Sequence, residues 1–319
     1  MTVEMLREPE ALRSHTAEAH RRGRTVGIVP TMGALHEGHL SLVRRAAAEC
    51  DEVVVTVFVN PLQFGAGEDL GRYPRRVAED AAMATAAGAD WIFAPDVGAM
   101  YPAGFQTSVR VGALGSHWEA ESRPGHFDGV ATVVVKLLVL AQPERAYFGE
   151  KDFQQLQVVR RVVADLGLGT EIVACPTVRD PDGLALSSRN AYLGPAARQA
   201  ARSLWSALAA GEAAIGAGLR DPTLVGQCMW RELERDPLVH PDYAAAVDPA
   251  TLEVPYRLAG AVRLLVAATV GGTRLIDNLG CWATPLGLAD RDDSGPVATE
   301  AARGGLLHAG GRPENRSQG

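Results

Sequence analysis

The residues of this chain best suited to chemistry sit on three short stretches. His36 and His39 lie in Pro30-Thr31-Met32-Gly33-Ala34-Leu35-His36-Glu37-Gly38-His39, Lys151 in Gly149-Glu150-Lys151-Asp152, and Arg189 in Leu186-Ser187-Ser188-Arg189-Asn190. The first follows the apolar run Val26–Val29 and precedes an amphipathic stretch from Leu40 to Cys50, so it reads as strand, glycine-bearing loop, helix. Backbone N–H groups left free at a helix start bind anions well. Gly33 and Gly38 permit close approach of the backbone, and histidines at this spacing share one helix face. Phosphate is the ligand this pattern favours. A metal ion shared by the two imidazoles and a plain exposed helix start are the alternatives; the metalloprotease motif spaces its histidines at i and i+4 instead.

Lys151 offers a mobile positive charge for phosphates, and Asp152 can accept from ribose hydroxyls or cap the helix that follows. The alternative for this loop is a capped helix with a solvated lysine. Ser187, Ser188 and Arg189 set two hydroxyls and a guanidinium side by side, which suits a polyphosphate. Asn60 and Gln63 follow the most apolar run of the chain. Such neutral donors and acceptors suit a hydroxy acid, and either could instead be a turn residue.

The elements that must position these groups alternate. Val53–Val59 is a continuous β-branched run, the pattern of a strand buried on both faces. A helical stretch from about Tyr73 to Ala87 follows. Trp91–Ala94, Ala146–Phe148 and Ile172–Ala174 read as strands, and Val130–Ala141 and Phe153–Leu166 as helices. Strands alternating with helices imply a doubly wound parallel sheet, an α/β fold of Rossmann-like type, in which ligands bind beyond the carboxyl ends of the strands. A turn-rich stretch at Arg179–Gly183 marks a change. Beyond it come helices at Pro195 to about Ile215 and about Leu224–Glu234, then short strands at Tyr243–Val247, Val262–Thr269 and Arg274–Ile276, with Gly271-Gly272 as a hairpin signal. The expected organisation is a nucleotide-binding domain over 1–178, a smaller α+β domain over 179–282 and a disordered tail over 283–319.

Composition narrows the partners. The chain has 319 residues, 47% hydrophobic and 22% charged, with net charge −7, so it carries no basic surface suited to nucleic acid. Cys50, Cys175, Cys228 and Cys281 form no CxxC pair and suit neither a zinc site nor a disulfide framework. Neither a signal peptide nor an apolar run long enough to span a bilayer is visible, and a cytoplasmic protein without membrane partners is the expectation.

Taken together, the His-Glu-Gly-His, lysine and Ser-Ser-Arg stretches resemble the HIGH and KMSKS signatures of the nucleotidyltransferase superfamily. Within it, Pro30–Leu40, Phe58–Phe64, Arg123–Val130, Tyr147–Asp152, Ser187–Asn190 and Gly271–Asn278 are similar to the fingerprints of the pantoate–β-alanine ligase (pantothenate synthetase) family. That resemblance covers roughly residues 5–280 and implies an ATP-dependent enzyme. Its carboxylic acid substrate, pantoate, would be activated as an adenylate with release of pyrophosphate, then captured by β-alanine with release of AMP.

The resemblance also implies roles. His36, His39, Lys151, Ser187, Ser188 and Arg189 match phosphate-binding positions, with an acid role at His39. Met32, Gln63 and Gln155 match pantoate positions with Asn60 nearby, and Gln63 reaches towards β-alanine. Met32 again, Gly33, Gly149, Asp152, Leu186 and the backbone of Val178 fall on the ATP side. Mg²⁺ is implied as a cofactor with Asp80 as its contact, and a homodimer as the assembly. The chain departs from the family at Leu186, where methionine is usual; an apolar surface and a backbone contact would survive that change. Another enzyme of the superfamily and a nucleotide-binding module without catalysis are the competing expectations.

Overall fold

A computed structural model describes residues 4–65 and 68–284, all within one compact unit. Strand β1 (Glu4–Leu6) and helix α1 (Pro9–Arg21) lead into β2 (Val26–Thr31), α2 (Glu37–Glu49) and β3 (Glu52–Val57). Helix α3 (Val77–Ala86), β4 (Trp91–Phe93) and the single turns α4 (Val97–Met100) and α5 (Glu119–Ser122) follow. Then come α6 (His126–Ala141), β5 (Arg145–Gly149), α7 (Phe153–Leu166) and β6 (Glu171–Cys175).

The six strands form one parallel sheet in the order β1-β4-β3-β2-β5-β6. β3 is buried at every position, as a β-branched run between two covered faces requires. One face packs Ile28, Val54, Phe93 and Phe148 against α1, α6 and α7. The other packs Val29, Val55, Ile92 and Tyr147 against α2 and α3. Consecutive residues of each strand thus go to opposite layers, and the sheet is doubly wound as expected.

The strand order reverses between β2 and β5, whose register pairs Ile28 with Ala146. The chain leaves β2 for a helix over one face and leaves β5 for a helix over the other. A crevice opens between the two exits, the switch point at which such sheets bind ligands. The His36 loop leaves one strand there and the Lys151 loop the other.

The rest of the described chain is a second layer system: α8 (Pro195–Ala200), α9 (Ser203–Gly216) and α10 (Pro222–Leu233), then β7 (Val239–Val247), β8 (Gly260–Val270) and β9 (Thr273–Ala283) in an antiparallel meander. Leu264 and Val266 of β8 face α9 and α10, whereas Leu265 between them packs into the core of the parallel sheet. Gly271 and Gly272 turn the β8–β9 hairpin with φ of 54° and 84°, the left-handed values a two-residue turn of this kind demands.

The structure departs from the sequence reading in its details. β1 and α1 had no sequence expectation; β1 is a short edge strand that pairs only with β4. The helix expected from Tyr73 begins at Val77; Pro74 disfavours helical backbone at Tyr73 itself. The long helix expected after Pro195 breaks at Ala201–Arg202, where hydrogen bonds tighten to the i→i+3 kind. β9 runs on to Ala283, into the first position of the expected tail; the expectation for 285–319 lies outside the described residues. The expected domain boundary falls in the connection between β6 and α8.

Candidate active site

The His36 loop is built before any ligand arrives. Thr31 ends β2 with its Oγ1 donating to the Thr56 carbonyl and accepting from Gly33 N–H at 3.1 Å. Gly33 takes φ +85°, and a Cβ there would lie 2.9 Å from Asp80 Oδ2. Ala34 is also left-handed at φ 51°, a conformation that costs an alanine about 1 kcal/mol or more. It is held from both sides: its N–H donates to Asp80 Oδ2 at 3.0 Å, and its carbonyl accepts from Ser188 Oγ at 3.2 Å. Leu35 N–H donates to Asp80 Oδ1 at 2.8 Å.

Asp80 anchors this loop: it is 2% exposed, each of its carboxylate oxygens accepts from a loop N–H, and neither cavity of the site is lined by it. Gly33 is a turn residue of the same loop, its N–H donating to Thr31 Oγ1.

His36 is the N-cap of α2, its Nδ1 accepting from Gly38 N–H at 3.2 Å, while His39 Nδ1 accepts from His36 N–H at 3.4 Å. Each δ nitrogen is an acceptor, so each imidazole, when neutral, carries its proton on Nε2. The rings lie 4.1 Å apart. Burial, then the positive charge of Lys151, lowers His36 to about pKa 4. Burial, then neighbouring His36, lowers His39 to about 3, although part of its ring opens onto the cavity. At neutral pH the loop therefore offers two uncharged Nε2–H donors at the positive end of a helix dipole. In this state His39 has an Nε2–H to donate, the proton that its expected acid role would use.

Of two adjoining cavities, of about 670 and 220 Å³, the smaller is lined by this loop. Lys151, Asp152, Gln155, Ser187 and Arg189 line both. Met32, His36, His39, Gly149, Val178 and Leu186 line the smaller one. Lys151 Nζ stands 3.4 Å from Asp152 Oδ1. Burial opposes the charge on Asp152, but Lys151, followed by Arg189, outweighs it and keeps the carboxyl below its usual range. Ser187 Oγ accepts from Arg189 N–H at 3.3 Å, and Leu186 N–H donates to the Val178 carbonyl at 3.0 Å. Leu186 thus supplies backbone and apolar surface, the two properties that survive loss of a methionine.

On the opposite wall Asn60 is 1% exposed and its amide is saturated by protein. Its Nδ2 donates to Gln63 Oε1 (3.0 Å) and the Gly129 carbonyl (3.1 Å); its Oδ1 accepts from Leu62 N–H (3.3 Å) and Tyr101 OH (2.8 Å). Asn60 lines the smaller cavity, and its fully engaged amide orients Gln63. Gln63 Nε2 is turned to the weak acceptor Met32 Sδ at 3.1 Å, which a carboxylate or hydroxyl oxygen would readily displace. Gly129 lets this wall close, since a Cβ there would fall 2.2 Å from the Leu62 carbonyl oxygen. Gly129→Ala must push the Gln63 segment away, and it is expected to raise the KM for the acid substrate about tenfold or more with a smaller change for ATP, read from steady-state kinetics.

Sequence reasoning gave no role to Arg123 and His126, which line both cavities. Arg123 forks onto Glu68, with Nε 3.1 Å and Nη2 2.6 Å from its carboxylate oxygens. His126 Nδ1 donates to the Gln63 carbonyl at 2.9 Å, so its Nε2 accepts from Arg123 Nη1 at 3.1 Å. Burial and the Arg123 charge lower His126 to about pKa 4. The signal was present in Arg123-Pro124-Gly125-His126, a cation and an imidazole on either side of a turn at a helix start.

Three imidazoles held neutral predict an acid-sensitive fold. They titrate near 6.5 when unfolded and at about 4, 3 and 4 when folded, so between those values the unfolded chain binds more protons and stability rises with pH. The contribution is complete above about pH 6.5 and is lost as pH falls towards 4. Its slope reaches at most about 1.4 kcal/mol per unit for each histidine, less for the cavity-exposed His36. Urea midpoints between pH 7.5 and 4.5 should fall steadily; a flat profile would contradict the neutral assignment.

A doubly wound sheet with neutral imidazoles, a lysine and an arginine gathered at its switch point defines a Rossmann-like nucleotide-binding enzyme. The family model described as Pantoate-beta-alanine ligase matches residues 4–280. The chain is 52% identical over 282 residues to the pantothenate synthetase of Rubrobacter xylanophilus, covering 86% of this chain and 97% of the relative. It is 48% identical to the crystal structure of pantothenate synthetase from Thermus thermophilus, with TM-score 0.83, covering 89% of this chain and 100% of that one. The Francisella tularensis ligase, crystallised with beta-gamma ATP and beta-alanine, is 31% identical with TM-score 0.72 over 87% of this chain and 97% of its own. This chain belongs to the pantoate–β-alanine ligase family.

Proposed function

We propose that this site makes pantothenate from pantoate, β-alanine and ATP in two half-reactions, with the phosphates laid between the His36 loop, Lys151 and Arg189. The observation that carries the reading is the convergence of these loops on two adjoining cavities, one face phosphate-ready and the other lined by Gln63, Gln155 and Met32. In the first half-reaction a pantoate carboxylate oxygen bonds to the α-phosphorus. The α–β anhydride bond breaks, and its electron pair leaves with pyrophosphate. Two anions must meet, so charge has to be stabilised as it develops on the leaving group. Lys151 and Arg189 supply cations and the two histidines supply Nε2–H donors. Gln63 and Gln155 hold pantoate. In the second half-reaction the β-alanine amine bonds to the acyl carbon, loses a proton and releases AMP.

Among the described residues no group of three or more His, Cys, Asp or Glu side chains could hold a metal, and magnesium carried by phosphates needs few protein carboxylates. Magnesium belongs to this reading only as part of the ATP substrate, and no step is routed through it. Among the described residues no helix is long and apolar enough to cross a membrane. A homodimer is part of the same reading, checked by light scattering.

The purified protein mixed with MgATP, pantoate and β-alanine should form AMP and pantothenate in equal amounts. With β-alanine omitted, pyrophosphate should still appear, in a single turnover. If folded protein that binds ATP yields neither product, the reading is rejected.

A further inference from the structure

The Lys151 loop is held by the antiparallel sheet as well as by its own strand. Asn278 of β9 is 4% exposed, and its Nδ2 donates to the carbonyls of Glu150 at 2.9 Å and Lys151 at 2.7 Å. One amide nitrogen thus uses both its hydrogens on consecutive carbonyls of the loop. Only a side-chain amide brings two donors to one point on so short a stem; serine brings one and aspartate none. The opposite amide orientation would set an oxygen against two carbonyls, so the contacts fix the assignment.

Arg263 secures the same loop from β8. Its Nη2 donates to Glu150 Oε2 at 3.0 Å, and its guanidinium lies 3.6 Å from the centre of the Phe153 ring. The register pairs Arg263 with Gly280 and Leu265 with Asn278. Arg263, Leu265 and Asn278 therefore share one face of the sheet, the face that Leu265 packs into the parallel-sheet core. Asn278 Oδ1 is buried without a partner among the described residues. The side chain is held at a cost to itself, and what it gains is the geometry of the loop.

We propose that Asn278 is a positioning residue of the adenylation step. Resting on the phosphate role given to Lys151 above, it fixes the backbone from which that lysine reaches the ATP, so the antiparallel sheet takes part in the first half-reaction. A lysine side chain has several rotatable bonds. Unless its Cα is fixed, the ammonium spreads over positions of which few meet the leaving group, and small misplacements of such groups are costly.

The test is a double-mutant cycle on single-turnover pantoyl adenylate formation. Asn278→Asp keeps the volume and removes both donors. It should lower the rate about tenfold or more while the KM for ATP changes several-fold less. In a Lys151→Ala background the same substitution should add little, because residues that act as a unit are non-additive. Asn278→Ser, with one donor, should be intermediate, and takes the place of the aspartate variant if that one does not fold. A full, additive effect in the Lys151→Ala background, or an unchanged rate in the otherwise native enzyme, would overturn the proposal. If Lys151→Ala alone leaves the rate unchanged, the role given to Lys151 fails, and the positioning proposal with it. If that variant is slow and the Asn278 variants are not, the positioning proposal alone fails.

Discussion

Lys151→Ala is expected to slow pantoyl adenylate formation by on the order of 10²-fold or more, the scale of removing one preorganised transition-state donor. The ammonium lines both cavities and is balanced on the protein side by Asp152 at 3.4 Å. In the proposed mechanism it stabilises the charge that grows on the leaving pyrophosphate and has no such task in the second half-reaction. Capture of preformed pantoyl adenylate by β-alanine should therefore stay within a few-fold of the native rate. Rapid-quench measurement of each half-reaction separates the two. Equal slowing of both would make Lys151 a general structural element, and a near-normal adenylation rate would remove it from the chemistry.

The largest effect on stability is expected at Arg179→Met. Arg179 forks onto Asp277, with nitrogen–oxygen distances of 2.6 and 2.9 Å, and lies 4.3 Å from the centre of the Trp205 ring. The Asp277 side chain is 1% exposed. Without the guanidinium its carboxylate keeps, among the described residues, the N–H of Asn278 at 2.7 Å. Breaking a buried pair from one side typically costs about 3–5 kcal/mol, whereas replacing both partners by apolar groups costs far less. Arg179→Met should lower the urea midpoint at constant m-value, and Arg179→Met with Asp277→Leu should recover much of the loss. A double variant no more stable than the single one would show that the site needs the hydrogen bonds more than the charge balance.

Why so much of this was legible in the sequence can be argued from particular residues. The run Val53–Val57 could only be a strand covered on both faces, and Gly271-Gly272 could only turn a hairpin, so the period and the turn chemistry placed those elements. The three loops were legible because their residues are chemically unusual together. The protein partners of Asn60 and Asp80 were not legible for one shared reason: a sequence shows that a side chain can bond but not to what. Asp80 is consumed by Ala34 and Leu35, more than forty positions away. The tie between Asn278 and the Lys151 loop spans 127 residues and leaves no local periodicity to read. The neutral state of His36 and His39 comes from burial and from their caps, which spacing alone does not reveal.

The hydroxyl of Ser188 rests on the carbonyl of Ala34, 154 positions earlier, and this has a bearing on synthesis of the chain. The histidine loop leaves the ribosome early, at the end of the second strand. The lysine that faces it, the arginine above it and the amide at Asn278 arrive in turn, the last after nearly all of the described chain. At roughly 5–20 residues per second, the first wall of the cleft waits on the order of ten seconds or longer for the last support. Throughout that interval the nascent chain has no assembled place for a mixed anhydride that water would destroy. A site dispersed along the polypeptide in this way is complete only once nearly all of the described chain has been made.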